Sequence, residues 1–178
     1  MAIAESELRR IWSGPTGDEQ GFVVRVHFSS DDPADVLARA RDVLACVVKR
    51  GDAWPADDSW PDLLPAWFVE RCAPEVVADP SFDLDTWHAQ WRAKSWEEKV
   101  AESVGPWRLS NWLYYFDPTE GEGAGSDRSW WWWDAGVDQT GGGWIDVATT
   151  GWPFGTGSLY WLIEASGGID PGCRAGVI

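Results

Sequence analysis

Alternating apolar and polar positions first predict a strand at 21–28. In this segment, GFVVRVHF, every second residue is apolar and falls on one side: Phe22, Val24, Val26 and Phe28. Period-two alternation of this kind is typical of a strand with one buried face. The preceding residues, 1–20, are predicted to form a mobile N-terminal segment that contains a short helix through Glu5–Trp12.

The segment after this strand shows the spacing of an amphipathic helix. Apolar residues recur at intervals of three and four along one face, namely Val36, Leu37, Ala40, Val43, Leu44 and Val47. Asp32 is a suitable N-cap, Pro33 is favoured at the first helical position, and Gly51 is a suitable stop. We therefore predict a helix that begins at Pro33.

Helical signals continue through the middle of the chain between proline-rich connections. Residues 52–62 are predicted to be a loop, followed by a short helix over about 63–72 that Pro65 interrupts. A further helix would carry two tryptophans one turn apart, Trp87 and Trp91. Asp83 or Asp85 can cap it. The segment SWEE at 95–98 is a capping box, which predicts another helical piece over 96–103.

From residue 107 the pattern changes to period two. It predicts three strands, Leu109–Phe116, Ser129–Ala135 and Trp144–Thr149. Their connections are rich in Gly, Asp and Thr, so an antiparallel meander is the economical arrangement. A final helix is predicted over Ser158–Ser166, capped by Thr156 or Ser158 and ended by Gly167-Gly168. Residues 169–178 are predicted to be an irregular tail.

The order of these elements predicts a single α+β domain over residues 1–178. It comprises an N-terminal strand, about three helices, a three-stranded antiparallel meander and a C-terminal helix. A chain of 178 residues is long enough for one ordinary domain and short for two. It needs no disulfide or metal to build a core.

The chain is strongly acidic, with 29 Asp and Glu against 14 Lys and Arg and a net charge of −15. The excess is spread along the chain, since residues 1–104 and residues 105–178 are both net negative. Such a charge disfavours nucleic acid and anionic membrane surfaces as partners. It attracts basic proteins and cationic ligands. The alternative is that the acidic excess serves only to keep the protein soluble.

Cysteine usage and the N-terminal sequence favour a cytoplasmic location. The chain has three cysteines, an odd number, and no two of them form a CxxC motif. The first residues lack the apolar core of a signal peptide. No run of about 18 apolar residues is present, so no transmembrane helix is predicted.

Motifs for catalysis, cofactors and metals are absent from the sequence. Two histidines and the cysteine spacing do not suit zinc. The segment Asp117–Arg128 fails as a calcium loop at its sixth and twelfth positions. An irregular cation site built from carboxylates remains open, with Asp117, Glu120, Glu122 and Asp127. Acid–base work by carboxylate pairs also remains open, for Asp83 with Asp85 or Asp134 with Asp146. No catalytic residue, metal or cofactor is therefore assigned, and a binding protein is favoured over an enzyme.

The sequence contains 16 tryptophans, four of them consecutive at Trp130–Trp133. Successive strand residues point to opposite faces, so two of these rings face the core and two face away. We therefore predict an aromatic, acidic surface on the outer sheet face, which binds a partner through Tyr115, Trp131, Trp133, Asp134, Trp144 and Asp146. The alternative is that helices cover both faces and all the rings are core.

Several Trp-containing stretches resemble small Trp-rich proteins that are common in actinobacteria. The likeness lies in WRLSNWLYY from Trp107, RSWWWWDA from Arg128 and GWPFGTGSLYWLIEASGG from Gly151, together with PAWFVERC from Pro65 and the pair Trp87 and Trp91. The resemblance covers roughly residues 60–170. It implies a bacterial cytosolic protein of one domain, and it supplies no activity and no catalytic residues.

Three functions are compatible with these features. The first is an acidic cytosolic protein that neutralises or escorts a basic protein partner, as immunity proteins and antitoxins do. The second is a small-molecule-binding protein or enzyme whose Trp-lined pocket holds an apolar or cationic ligand. The third is a structural or regulatory module of a larger assembly. The first is favoured by the acidity and the aromatic anchors.

Overall fold

Four strands form one antiparallel sheet in the structure, a computed structural model that describes residues 2–17, 21–76, 81, 83–95, 97–98, 105–119 and 128–173. The strands are β1 (Val23–Ser29), β2 (Trp130–Val137), β3 (Gly143–Thr149) and β4 (Ile169–Gly172). Their spatial order is β2-β3-β1-β4. The N-terminal strand therefore lies inside the sheet, and β2 and β4 form its edges.

Helices precede β1 and lie between β1 and β2 and between β3 and β4. They are α1 (Ala2–Ser13), α2 (Pro33–Val48), a 3₁₀ turn over Asp57–Ser59, α3 (Trp60–Leu63), α4 (Ala66–Arg71), α5 (Leu84–Ala93), α6 (Leu109–Tyr114) and α7 (Gly157–Ala165). This mixture of helices with an antiparallel sheet confirms the predicted α+β class.

The main core lies between one sheet face and the helices α2 and α7. The predicted apolar stripe of α2 is buried along its whole length. It belongs to the same core as the inward residues of β1 and β3, which are Val26, Phe28, Ile145 and Val147. Full burial of one such aliphatic side chain stabilises a fold by about 1.5–3 kcal/mol. The sheet and α2 are therefore fixed by the alternation and the stripe that the sequence shows.

Short-range signals define several helix ends. The Asp32 carboxylate accepts the backbone N–H of Asp35 at 3.0 Å, as expected for an N-cap before Pro33. At the end of α7, Gly167 adopts a positive φ and the N–H of Gly168 donates to the carbonyl of Ile163 at 2.9 Å. Proline also separates α3 from α4 at residue 65, where the interruption was predicted.

The capping box at 95–98 forms as predicted. The N–H of Ser95 donates to the Glu98 carboxylate at 2.7 Å, and the N–H of Glu98 donates to Ser95 Oγ at 3.2 Å. Of the helical piece predicted over 96–103, residues 97 and 98 are helical. The remainder of that piece lies outside the described residues.

The strand predicted at Leu109–Phe116 is wrong, because this segment contains helix α6. Its buried residues are spaced at three, four and seven positions, namely Leu109, Trp112, Leu113 and Phe116. That spacing is helical, and it outweighs the period-two alternation of the aromatic residues. The indole N–H of Trp112 donates to the carbonyl of Ser158 at 2.9 Å, which fixes α6 against α7.

The predicted three-stranded meander is therefore corrected to the sheet order given above. β2 and β3 form the hairpin of that meander, while β1 takes the place next to β3. The tail predicted to be irregular also needs correction, because its residues Ile169–Gly172 form β4 and pair with β1. The residues from 174 onward lie outside the described residues.

Helix α1 covers the free edge of β2. The Glu7 side chain is fully buried and accepts the backbone N–H of Trp132 at 2.7 Å, and Arg10 Nε donates to the Trp132 carbonyl at 3.1 Å. Glu7 also forms an ion pair with Arg128, whose Nη1 donates to Glu7 Oε2 at 2.9 Å. Residues 2–13 of the segment predicted to be mobile therefore form an anchored helix, and the predicted helix is confirmed.

Candidate binding site

The outer face of the β2–β3 hairpin brings together most of the predicted site residues. Trp130 and Trp132 point into the core and are 1% and 0% exposed, whereas Trp131 and Trp133 are half-buried. Asp134 lies directly opposite Asp146 in the register of the two strands, and Trp144 lies opposite Gly136. The register shifts by one residue between Trp132 and Asp134, as in a β-bulge.

An arginine of the neighbouring strand occupies this face. The guanidinium carbon of Arg25 lies 3.7 Å from the ring centroid of Trp144, and its nitrogens bind the two Asp146 oxygens at 2.7 and 2.8 Å. The hydrogen bonds to Asp146 raise the pKa of Arg25. The cation that we expected from a partner is thus supplied by the chain itself.

The remaining predicted residues of the sheet face are held by their own neighbours. The Trp144 ring crosses Gly136, where a Cβ atom would lie only 2.7 Å from the ring. The Trp133 ring lies against Gly21 and has the Arg10 guanidinium 5.1 Å from its centroid. The Trp133 and Trp144 rings therefore pack against groups of the chain itself and are half-buried, and their role in binding a partner stays a prediction.

Tyr115 is the predicted site residue that the structure places elsewhere. It follows α6 and its ring lies 5.5 Å from that of Trp107. The expectation that it joins the sheet face is wrong because its segment is helical. Tyr115 instead lines a second feature, a cleft of about 1290 Å³ between the segments 54–75 and 105–117.

We call this feature the acidic cleft. Four carboxylates line it, namely Asp57, Asp58, Glu75 and Asp117. Four aromatic residues also line it: Trp54, Trp107, Tyr114 and Tyr115. Arg108 is the basic residue among its lining residues. Carboxylates beside aromatic rings are the groups that bind a cation by ion pairing and by cation–π contact.

Three carboxylates of the cleft lack a counter-ion among the described residues. Asp57, Asp58 and Glu75 are exposed, and none of them forms a salt bridge with a described residue. Glu75 accepts the N–H of Ser110 at 2.9 Å and its hydroxyl at 2.6 Å, which holds the carboxylate at the start of α6. Hydrogen bonds therefore hold the Glu75 carboxylate in place, and no cation among the described residues neutralises its charge.

The aromatic residues form pairs on both walls of the cleft. On one wall, the Trp54 ring leans on the buried Trp60 ring at 4.6 Å. On the other, Trp107 lies against Tyr115. The N–H of Ala73 donates to the carbonyl of Trp107 at 2.9 Å, which joins the two walls through their backbones. Ring positions in the cleft are thus set by the surrounding fold.

Cys72 lines the same cleft and lacks the features of a nucleophile. Burial raises the pKa of its thiol to about 11. A thiol with such a pKa is protonated at neutral pH, whereas catalytic cysteines are activated by a lowered pKa. Cys72 is therefore not assigned as a nucleophile.

The cation site left open on the carboxylates after α6 is described only at Asp117. Its carboxylate accepts the N–H of Thr119 at 2.8 Å and the Thr119 hydroxyl at 2.6 Å. Glu120, Glu122 and Asp127 lie outside the described residues. Elsewhere in the described ranges, no group of three or more His, Cys, Asp or Glu side chains is placed to hold a metal ion.

The sequence pattern did not identify the acidic cleft. Asp57 and Asp58 stand in a segment read as loop, and Glu75 stands in a connection about 35 positions before the helix that it caps. The signal was the density of Trp, Asp and Pro over 52–62, but sequence spacing does not show that this segment faces α6.

No protein-family model, curated protein or solved structure matches this chain. The resemblance to Trp-rich actinobacterial proteins therefore stays an expectation. No helix among the described elements is long and apolar enough to cross a membrane.

Proposed function

We propose that the protein is an acidic binding protein that neutralises or escorts a basic protein partner, and that it holds this partner in the acidic cleft. One observation carries the proposal. The exposed carboxylates Asp57, Asp58 and Glu75 have no cationic partner among the described residues, and they stand beside ordered aromatic rings. On the sheet face, by contrast, Arg25 already fills the equivalent place.

The size of the cleft favours a polypeptide segment over a small molecule. Pockets for drug-sized ligands typically measure about 300–1,000 Å³. The acidic cleft measures about 1290 Å³, and its rim residues Asp57, Asp58 and Tyr114 are exposed. This geometry supports an extended basic segment in preference to the Trp-lined small-molecule pocket. The geometry of the cleft gives no support to the third function, a structural or regulatory module of a larger assembly.

The charge of the whole chain supports the same partner. A net charge of −15 steers cationic proteins toward the surface and accelerates their encounter. As part of this function, we propose that the protein is located in the cytoplasm. The three cysteines are free rather than paired, as a reducing compartment requires.

The proposal is tested by the rate at which the protein captures a capped peptide that contains both lysine and arginine. Surface plasmon resonance at low and at physiological ionic strength gives the association rate. We expect the double variant Asp57→Asn, Asp58→Asn to slow association by about three- to tenfold at low salt and to reduce its salt dependence.

A matched variant removes the same charge elsewhere. Asp31→Asn with Asp42→Asn neutralises two exposed carboxylates outside the cleft. We expect this control to change the association rate by less than about twofold. Equal effects of the two double variants would show that the peptide binds the overall charge, and the cleft would then not be the site.

A further inference from the structure

We infer that the acidic cleft selects arginine over lysine in its basic partner. This inference rests on the proposed function, because it names the residue type that the cleft recognises. It is carried by the way in which the molecule binds its own arginines, and by the groups that the cleft presents.

Three arginines of the chain each contact at least one aromatic ring and one carboxylate. Arg25 lies on Trp144 and forks onto Asp146, as described for the sheet face. The Arg39 guanidinium lies 5.3 Å from the Trp67 centroid, and its Nε lies 2.7 Å from the Asp35 carboxylate.

Arg128 repeats the arrangement in the interior. Its guanidinium lies 5.3 Å from the centroid of Trp130 and pairs with the carboxylate of Glu7. The ring and the carboxylate engage one planar cation at the same time, since the ring contacts its face and the carboxylate accepts from its edge.

The cleft presents both of these groups along its lining. Trp54 lines the cleft together with Asp57 and Asp58, only a few residues along the chain. Trp107 and Glu75 line it from the other side. A lysine ammonium is a compact, strongly hydrated point charge, so it gains less from ring stacking and cannot form a planar fork.

The basic residue of the lining does not cancel this preference. Arg108 is half-buried and forms no ion pair with a described residue. Four lining carboxylates outnumber this guanidinium. The cleft therefore stays anionic with Arg108 in place, and an arginine from an extended segment of the partner is attracted to it.

The test compares two capped, glycine-spaced peptides of equal charge, one with arginine and one with lysine. Isothermal titration calorimetry with the full chain gives both dissociation constants. We expect the arginine peptide to bind about tenfold more tightly, as desolvated cation–π and bidentate contacts allow. Arginine amide serves as the small-molecule arm and should bind far more weakly than the arginine peptide.

Matched tryptophan variants show whether the preference resides in the cleft. Trp54→Leu should abolish the arginine preference while the lysine peptide keeps its affinity, and Trp54→Phe should restore part of the preference. Trp152→Leu removes an exposed tryptophan outside the cleft and should leave both affinities unchanged. Thermal melting of each variant shows that it is folded.

The outcomes separate this inference from the proposed function. Equal affinities of the two peptides for the wild-type protein would overturn arginine selectivity and leave the binding of a basic partner intact. A preference that survives Trp54→Leu would overturn the assignment of this selectivity to the Trp54 side of the cleft. Failure of both peptides to bind would overturn the proposed function itself. Arginine amide binding as tightly as the peptide would replace the protein partner with a small guanidinium compound.

Discussion

Glu7 shows how one buried carboxylate fixes several elements. It is fully buried, and it accepts from the backbone of Trp132 and from the guanidinium of Arg128. Arg128 in turn lies near the rings of Phe116, Trp130 and Trp131. Removal of one partner from a buried ion pair leaves the other charge without compensation, which is far more costly than loss of a surface pair.

We expect Glu7→Gln to lower the free energy of unfolding by about 3 kcal/mol, because Arg128 is left buried and unpaired. Glu5→Gln, an exposed position on the same helix, serves as the control and should leave stability unchanged. Urea denaturation measures both variants. A similar loss in the two variants would show that the charge of α1, and not the buried pair, is responsible.

Sequence spacing identified the buried tryptophans of β2 but not the residues that engage the others. Alternation correctly separates Trp130 and Trp132 from Trp131 and Trp133. It does not show that Arg25 reaches Trp144, because the contact depends on the pairing of β1 with β3. Contacts between strands about 120 residues apart follow from topology, which local patterns leave open.

At the scale of elements, the β2–β3 hairpin depends on its turn. Asp138 accepts the N–H of Thr140 at 2.8 Å, the Thr140 hydroxyl at 2.6 Å and the N–H of Gly142 at 2.9 Å. The hydrogen bonds from Thr140 and Gly142 lower the pKa of Asp138. An aspartate that binds neighbouring N–H groups in this way is a typical Asx-turn residue.

This turn gives the stability of the fold a defined pH dependence. A carboxylate with a lowered pKa in the folded state stabilises it above the ordinary Asp pKa, and the stabilisation is lost as pH falls through the lowered value. We therefore expect Asp138→Asn to lower the melting temperature at neutral pH, with a difference from wild type that shrinks toward acid pH. A difference that is constant over this range would show that the charge of Asp138 contributes nothing.

The sequence predicted the correct element where the apolar residues followed one period only. It predicted the wrong element where a helical period and a strand period fitted the same segment. The helix α2 has a helical stripe alone, and its start at Pro33 was correct. The segment from Leu109 to Phe116 fits both periods, because its aromatic and apolar residues occupy most positions. Its packing against Phe68 and Ser158 decides in favour of helix α6. Tertiary contact of this kind overrides local preference.

At the scale of the whole molecule, the acidic excess acts on stability as well as on binding. Like charges repel one another in the compact state. At physiological ionic strength, dissolved salt screens the repulsion between exposed charges that lie more than about 8 Å apart. The α+β class of the fold could be predicted from the order of elements, whereas the basic partner inferred from the acidic composition stays a proposal. The cleft could not, because it exists only when two distant segments meet.

We expect sodium chloride to raise the melting temperature between very low and physiological ionic strength. A stabilisation of about 1 kcal/mol corresponds to about 2–4 °C for a chain of this size. Differential scanning calorimetry measures the shift, with an uncharged solute at equal osmolality as the control. A melting temperature that falls with salt would show that attraction between exposed paired charges, such as Arg39 with Asp35, outweighs the net repulsion.

The helix on the edge of β2 also bears on how this chain avoids aggregation. Four consecutive tryptophans on an edge strand would make a strong template for cross-β growth. Glu7 and Arg10 occupy the backbone groups of Trp132 that an added strand would use. The opposite edge, β4, is four residues long and includes Pro171, which has no N–H to donate. Both edges of the sheet therefore carry features that oppose pairing with an added strand, which counteracts the hazard of four consecutive tryptophans.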